Sequence, residues 1–200
     1  MIIAIDGPSA AGKGTIGRAL ALKLGLHYLD TGSLYRMVGF EVMRQNVDPV
    51  DEQACAIIAS TLNVKSFSDA DLRGEKVGSF ASQVAALPQV RQALLKFQRD
   101  FAAQNPGAVL DGRDIGTVIC PEADYKFFIT ASVDARARRR ASESPSSDLE
   151  AITAEIKERD ARDSSRAIAP LMPAAGAVII DTSDMSADEV LARVLSFIRA

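Results

Sequence analysis

Residues 7–15 read GPSAAGKGT and follow directly on the apolar run IIAID at 2–6. Three glycines, a lysine and a threonine at the end of a strand-like run describe a loop that works through its backbone. Such a loop lets successive N–H groups wrap a phosphate, and the helix that opens after it turns its positive end toward the same charge. Lys13 is spaced to reach the outer phosphates of a nucleotide. The stretch misses the pattern G-x-x-x-x-G-K-[ST] by one residue, because Gly14 stands at the hydroxyl position and Thr15 comes after it.

Outward from this loop the chain alternates. Apolar, β-compatible runs at 2–6, 27–30, 108–111, 125–130 and 177–181 are near-continuous rather than alternating, which suits parallel strands covered on both faces. Helical patterns lie between them at 13–24, 33–45, 51–62, 88–104, 134–142, 149–159 and 187–199. Gly25 is placed to stop the first helix, and Pro88 to open another. The alternation predicts an α/β layered fold with right-handed crossovers. In an open parallel sheet the ligand lies beyond the carboxyl ends of the strands. There the sequence places GPSAAGKGT, DTGSLYR, DGRDIGT and DTSDMS. Two stretches interrupt the pattern: 63–78, polar and turn-rich, and 142–148, SESPSSD, which reads as a flexible linker into an arginine-bearing helix.

Composition narrows the function. The 200 residues are 48% hydrophobic and 24% charged, as in a soluble globule. No apolar run approaches a membrane span and the N-terminus lacks a basic leader, so a cytoplasmic location without membrane partner is expected. The net charge of −3 offers no general attraction to nucleic acid. Arginine outnumbers lysine 16 to 7 and is concentrated at 135–141 and 158–166. Its planar fork pairs bidentately with phosphate, although each run alone also fits a solvated helix face. Cys55 and Cys120 are isolated, and His27, the sole histidine, sits in a strand-like run where packing is its expected role.

With the loop form GKGT, which is typical of nucleoside monophosphate kinases, the blocks LDTGSLYR (29–36), ASQVAALPQVRQALLKFQR (81–99), DGRDIGTVICPEAD (111–124) and EIKERDARDSSRAIAPL (155–171) resemble the bacterial cytidylate kinase family, in family order along the chain. The resemblance implies one P-loop kinase domain over 1–200, of the three-layer NTP hydrolase type, with a five-stranded parallel sheet in the order 2-3-1-4-5. A monophosphate-binding insert is expected at about 63–80 and a lid at about 142–170. It implies transfer of the γ-phosphoryl group of ATP to CMP or dCMP by a monomer, in pyrimidine nucleotide biosynthesis and salvage.

Residue roles follow from the same resemblance. Gly7, Pro8, Ser9, Ala10, Ala11, Gly12, Lys13, Gly14 and Thr15 would hold ATP, with Thr15 on a donor phosphate and Mg²⁺ carried as Mg-ATP mainly by phosphates and water. Asp111, at a strand end, would orient that metal through water. Arg136 matches a position that stacks on the donor adenine. Arg36 and Arg113 would clamp the CMP phosphate, with Thr31 and Tyr35 lining the acceptor pocket; helix capping for Thr31 and core packing for Tyr35 are the alternatives. Ser82, Arg91 and Asp114 would read the base. Asp114 and Ser82 can accept from the cytosine amine, whereas uracil would set a carbonyl against the Asp114 carboxylate. An exposed helix position is the plainer account of Arg91. Arg159 and Asp163 would reach the acceptor ribose, and Arg162 and Arg166 would face the transferring group. These four recur at helical spacing, which a salt-bridged surface also explains.

Two departures from the family pattern stand out. Ala10 replaces a loop glycine, which is harmless to binding if its φ is negative. The insert between Leu62 and Ser79 is short, so the small antiparallel sheet that many members carry there is expected to be abbreviated or absent. Other kinases of this fold, for UMP/CMP, AMP or shikimate, are the neighbouring readings. A GTP-driven switch would need N-K-x-D, and asparagine occurs only at 46, 63 and 105.

Overall fold

The computed structural model describes residues 1–72, 74–142 and 148–198. It divides into two compact units, Met1–Leu29 with Phe101–Ala200, and Asp30–Asp100.

The first unit is built on the sheet. β1 (Ile2–Asp6), β2 (His27–Asp30), β3 (Ala108–Gly112), β4 (Tyr125–Thr130) and β5 (Val178–Asp181) lie in the order β2-β3-β1-β4-β5, as the resemblance implied. β1 runs parallel to β3, with Ile5 opposite Asp111 and Asp6 opposite Gly112, and parallel to β4 on its other side. β5 continues the sheet parallel to β4. Ile3, Ala4 and Ile5 in β1 and Val109 and Leu110 in β3 have no exposure, which is why their runs do not alternate. The expectation of cover on both faces fails at the edge strand β5, where Ile179 is 61% exposed: among the described residues no helix covers that face at this position.

Helices α1 (Lys13–Leu24), α6 (Val133–Ser142), α7 (Leu149–Ser164) and α8 (Ala187–Leu195) belong to this unit. Ile16, Leu20 and Ala21 of α1 and Val190 and Val194 of α8 pack with Ile3, Ile5, Phe127 and Ile129 into one core. α1 ends at Gly25, as predicted. α7 runs five residues past the predicted 159, because no breaker occurs before Ser165, whose N–H closes on Ala161. Of the predicted lid, residues 143–147 lie outside the described residues.

The second unit is helical. It contains α2 (Thr31–Arg44), α3 (Glu52–Ser60), α4 (Glu75–Val84) and α5 (Pro88–Ala102). Asp30 caps α2 and Asp51 caps α3, each carboxylate taking a first-turn N–H. α2 packs most closely on α4. A Cβ at Gly39 would stand 2.7 Å from the Ala81 nitrogen, so only glycine lets the two backbones approach. α4 was not expected, since its first residues read as part of a polar turn. Val77, Ala81 and Val84 nevertheless recur at helical spacing, and all three are buried. Among the described residues no strand lies between Leu62 and Ser79.

Candidate active site

The phosphate loop fills the turn between β1 and α1. Gly7 has φ +149°, and a Cβ there would fall 1.9 Å from the Ile129 carbonyl oxygen, so the first loop position admits glycine alone. Ala10 has φ +59°, against the condition set from sequence: its backbone is left-handed, where a Cβ is strained. Lys13 is buried and its Nζ donates to the Pro8 carbonyl at 2.8 Å. Ser9 is also buried, and its Oγ has no hydrogen-bond partner among the described residues. Thr15 is exposed in the first turn of α1. A cradle of glycines with an unsatisfied buried hydroxyl and a dry ammonium fits a polyphosphate.

Arginines of α6 support this loop. Arg136, expected against the adenine, has its side chain 4% exposed and its donors engaged: Nε by the Ala131 carbonyl, Nη1 by the Ser9 carbonyl, and both Nη atoms by Asp160 of α7. Arg139 donates to Oγ1 of Thr182 at 3.0 Å, and that hydroxyl lies 3.2 Å from the Ala11 carbonyl.

The loop after β3 carries the next group. Asp111 is buried and accepts from the Tyr28 hydroxyl. Among the described residues no group of three or more His, Cys, Asp or Glu could hold a metal ion. The Asp111 carboxylate is an oxygen donor of the kind that suits a hard divalent cation. Asp114 is buried at the start of a wide turn, Ile115–Ile119. Arg113 Nε donates to Asp163 Oδ2 at 2.8 Å, and Arg166 Nη2 to Asp163 Oδ1. Burial pushes the Asp163 carboxyl up, but Arg113, Arg166 and Arg159 outweigh it and hold it below its ordinary value. Arg162 pairs with Glu158 on the exposed side of α7. Arg159, Arg162 and Asp163 lie on α7 and Arg166 just beyond it, and the four do not form one surface ladder: Asp163 is turned inward and gathers Arg113 and Arg166, while Arg162 pairs with Glu158.

In the second unit, the remaining predicted residues occupy α2, α4 and α5. Thr31 is buried just inside the α2 cap, which is Asp30 rather than Thr31. Tyr35 is buried, and the Arg91 guanidinium carbon lies 5.5 Å from its ring centroid. Arg91 is itself 7% exposed and donates to the Ala85 carbonyl, so the exposed-position account fails. Arg36 donates to the Leu72 carbonyl at 2.9 Å, and Ser82 is buried on α4.

Sequence reasoning missed Asp6, Tyr28 and Asp160, and gave Thr182 no role although it lies in the strand-end segment DTSDMS. Asp6 could have been noticed as a polar residue at the carboxyl end of an apolar strand. Tyr28 and Asp160 carry no sequence signal, because their partners are distant in the chain.

A parallel sheet with a glycine-rich loop between its central strand and first helix, backed by the buried Arg136, defines a P-loop kinase. The profile of the cytidylate kinase family matches residues 3–200. Cytidylate kinases of Paramagnetospirillum magneticum and Rhodospirillum rubrum are 52% and 50% identical to the chain, over 98% and 99% of its length and 97% of theirs. The chain belongs to the cytidylate kinase family. Among solved structures, a shikimate kinase from Bacteroides thetaiotaomicron has a TM-score of 0.51 at 15% identity, covering 98% of this chain and 97% of that one. A protein from Eubacterium ventriosum has 0.57 at 15% identity, with 99% and 98% covered. At such identity the likeness speaks for the fold alone. Among the described residues no helix is long and apolar enough to cross a membrane.

Proposed function

We infer that the chain catalyses transfer of the γ-phosphoryl group of ATP to CMP or dCMP, giving ADP and CDP or dCDP. The observation that carries this reading is the family match over residues 3–200 together with the phosphate loop folded as such a kinase requires.

The CMP phosphate is already a nucleophile, so transfer needs position and charge rather than a general base. The loop Gly7 to Thr15 binds the donor phosphates through its backbone N–H groups, Pro8 excepted. Lys13 leaves the Pro8 carbonyl for the charge between them, and the Ser9 hydroxyl gains the partner it lacks. Arg136 serves the donor side by fixing the loop. Magnesium, when bound, neutralises charge on the donor phosphates, and Asp111 is the residue that would orient its water.

Arg36 and Arg113 take the acceptor phosphate, and Thr31 and Tyr35 are further acceptor contacts. Ser82, Arg91 and Asp114 read the base, and Arg159 and Asp163 the ribose. Arg166, already set by Asp163, meets the transferring group. Arg162 joins it by leaving Glu158, whose side chain is 71% exposed and whose hold is correspondingly weak. Closure of the lid, of which Ser142 and residues 148–170 are described, excludes water, the competing acceptor. The reading is of one kinase domain with an insert at 63–80, acting as a cytoplasmic monomer.

A coupled ADP-release assay with CMP, dCMP, UMP, AMP and shikimate tests the assignment. CMP and dCMP are expected to dominate. Lys13→Ala should keep the fold and lose nearly all transfer; normal kcat in that variant would overturn the role of the loop.

A further inference from the structure

Asp6 is the last residue of β1, directly before Gly7, and it is 3% exposed. Its Oδ1 accepts from the Ile115 N–H at 2.7 Å and its Oδ2 from the Gly116 N–H at 2.8 Å. The backbone of Asp6 is also paired in register with Gly112. One residue therefore closes the turn after β3 at both ends, through the strand ladder at Gly112 and through its carboxylate at Ile115 and Gly116. Arg113 and Asp114 are the two residues caught between.

We propose that Asp6 is a positioning residue for the acceptor nucleotide, fixing Arg113 and Asp114 at a set place beside the phosphate loop that begins one residue later. This rests on the reading of Arg113 and Asp114 as acceptor contacts. The chemistry of the side chain supports it. Two adjacent N–H groups need two acceptor oxygens, and a carboxylate supplies both; an amide would turn its own NH₂ against one of them. The arrangement is costly to keep. Burial pushes the Asp6 carboxyl up to about 6; the Gly116 and Ile115 amides and Lys13 favour its charged form, while Asp114 opposes it. Gly116 fits the same design, because a Cβ there would stand 3.4 Å from Asp6 Oδ2 and 3.0 Å from the Ala174 Cβ.

The test is steady-state kinetics of Asp6→Asn, with wild type and Arg113→Lys alongside. Loss of one charge-assisted bond to the turn should raise KM for CMP on the order of tenfold. KM for ATP should change clearly less than KM for CMP, since Lys13 is the least of the groups acting on Asp6 and keeps its bond to Pro8. If Asp6→Asn proves too unstable, Gly116→Ala loosens the same clamp from the other side and should give the same CMP-selective change. An unchanged KM for CMP, or equal losses toward CMP and ATP, would overturn the proposal. Failure of the functional reading looks different: wild type would not turn over CMP. If wild type does so and Arg113→Lys raises KM for CMP while Asp6→Asn does not, the positioning role alone is rejected.

Discussion

Arg136 and Asp160 meet as two forks, Nη1 to Oδ1 at 3.0 Å and Nη2 to Oδ2 at 2.6 Å, and the same guanidinium reaches the Ser9 carbonyl of the phosphate loop. The pair thus ties α6, α7 and the loop together. Asp160→Ala leaves a buried guanidinium without its anion. Such a loss costs roughly 3–5 kcal/mol in a dry interior, and about 2 kcal/mol is expected here because Asp160 is 25% exposed. Urea denaturation measures it. Replacing both partners, Arg136→Met with Asp160→Leu, should recover most of that stability while KM for ATP stays raised, because the loop has lost its support at Ser9.

Ala10 is the loop residue at odds with its backbone. A left-handed conformation costs a residue with a Cβ about 1–2 kcal/mol, partly offset in glycine by the freer unfolded chain. Ala10→Gly should therefore raise stability by up to about 1 kcal/mol, and Ala10→Val should lower it. Thermal unfolding of the three proteins gives the order; a glycine variant clearly less stable than wild type would contradict the strain.

Asp163 sets a pH dependence. Its folded value lies below the ordinary 3.8, so its contribution to stability is complete above 3.8 and is lost as pH falls through the lower folded value. Arg113→Ala removes one of the charges that overcome the burial of Asp163. The folded value then rises and the acid-unfolding midpoint should move to higher pH. The stability difference from wild type should be largest near neutrality and narrow as both proteins are acidified. A constant difference across pH would mean that the pairing with Arg113 contributes nothing electrostatic.

Asp114→Ala tests base choice. If the carboxylate accepts from the cytosine amine, its loss should lower kcat/KM for CMP on the order of 10- to 100-fold. UMP should fall less, or improve, because a repelling acceptor is gone. The CMP:UMP ratio is the quantity to follow, since a folding defect lowers both together. An unchanged ratio would remove Asp114 from base recognition.

The central strands were legible because strands buried on both faces have to be apolar throughout, and Ile3–Ile5 and Val109–Leu110 are. The phosphate loop was legible because its glycines are demanded by backbone geometry at fixed spacing. α4 was hidden by the polar residues before it and by Gly78 and Ser79 within it, although Val77, Ala81 and Val84 mark its buried face. The ion pairs were not legible. Nothing in ERDARD at 158–163 distinguishes Asp160, which holds Arg136, from Asp163, which holds Arg113 and Arg166. Each choice depends on which side of α7 meets which neighbour, and chain-local patterns do not carry that.

The hydrogen bond from Lys13 to the Pro8 carbonyl bears on how quickly a donor is captured. A lysine waving in solvent would have to shed its hydration shell at the moment of encounter. Here most of that shell is already gone in the resting protein, and the carbonyl serves as a placeholder. An arriving polyphosphate offers a more negative oxygen in place of that carbonyl. Neutral solutes and water offer nothing better than the carbonyl, so the loop is slow to be distracted by them and quick to yield to an anion.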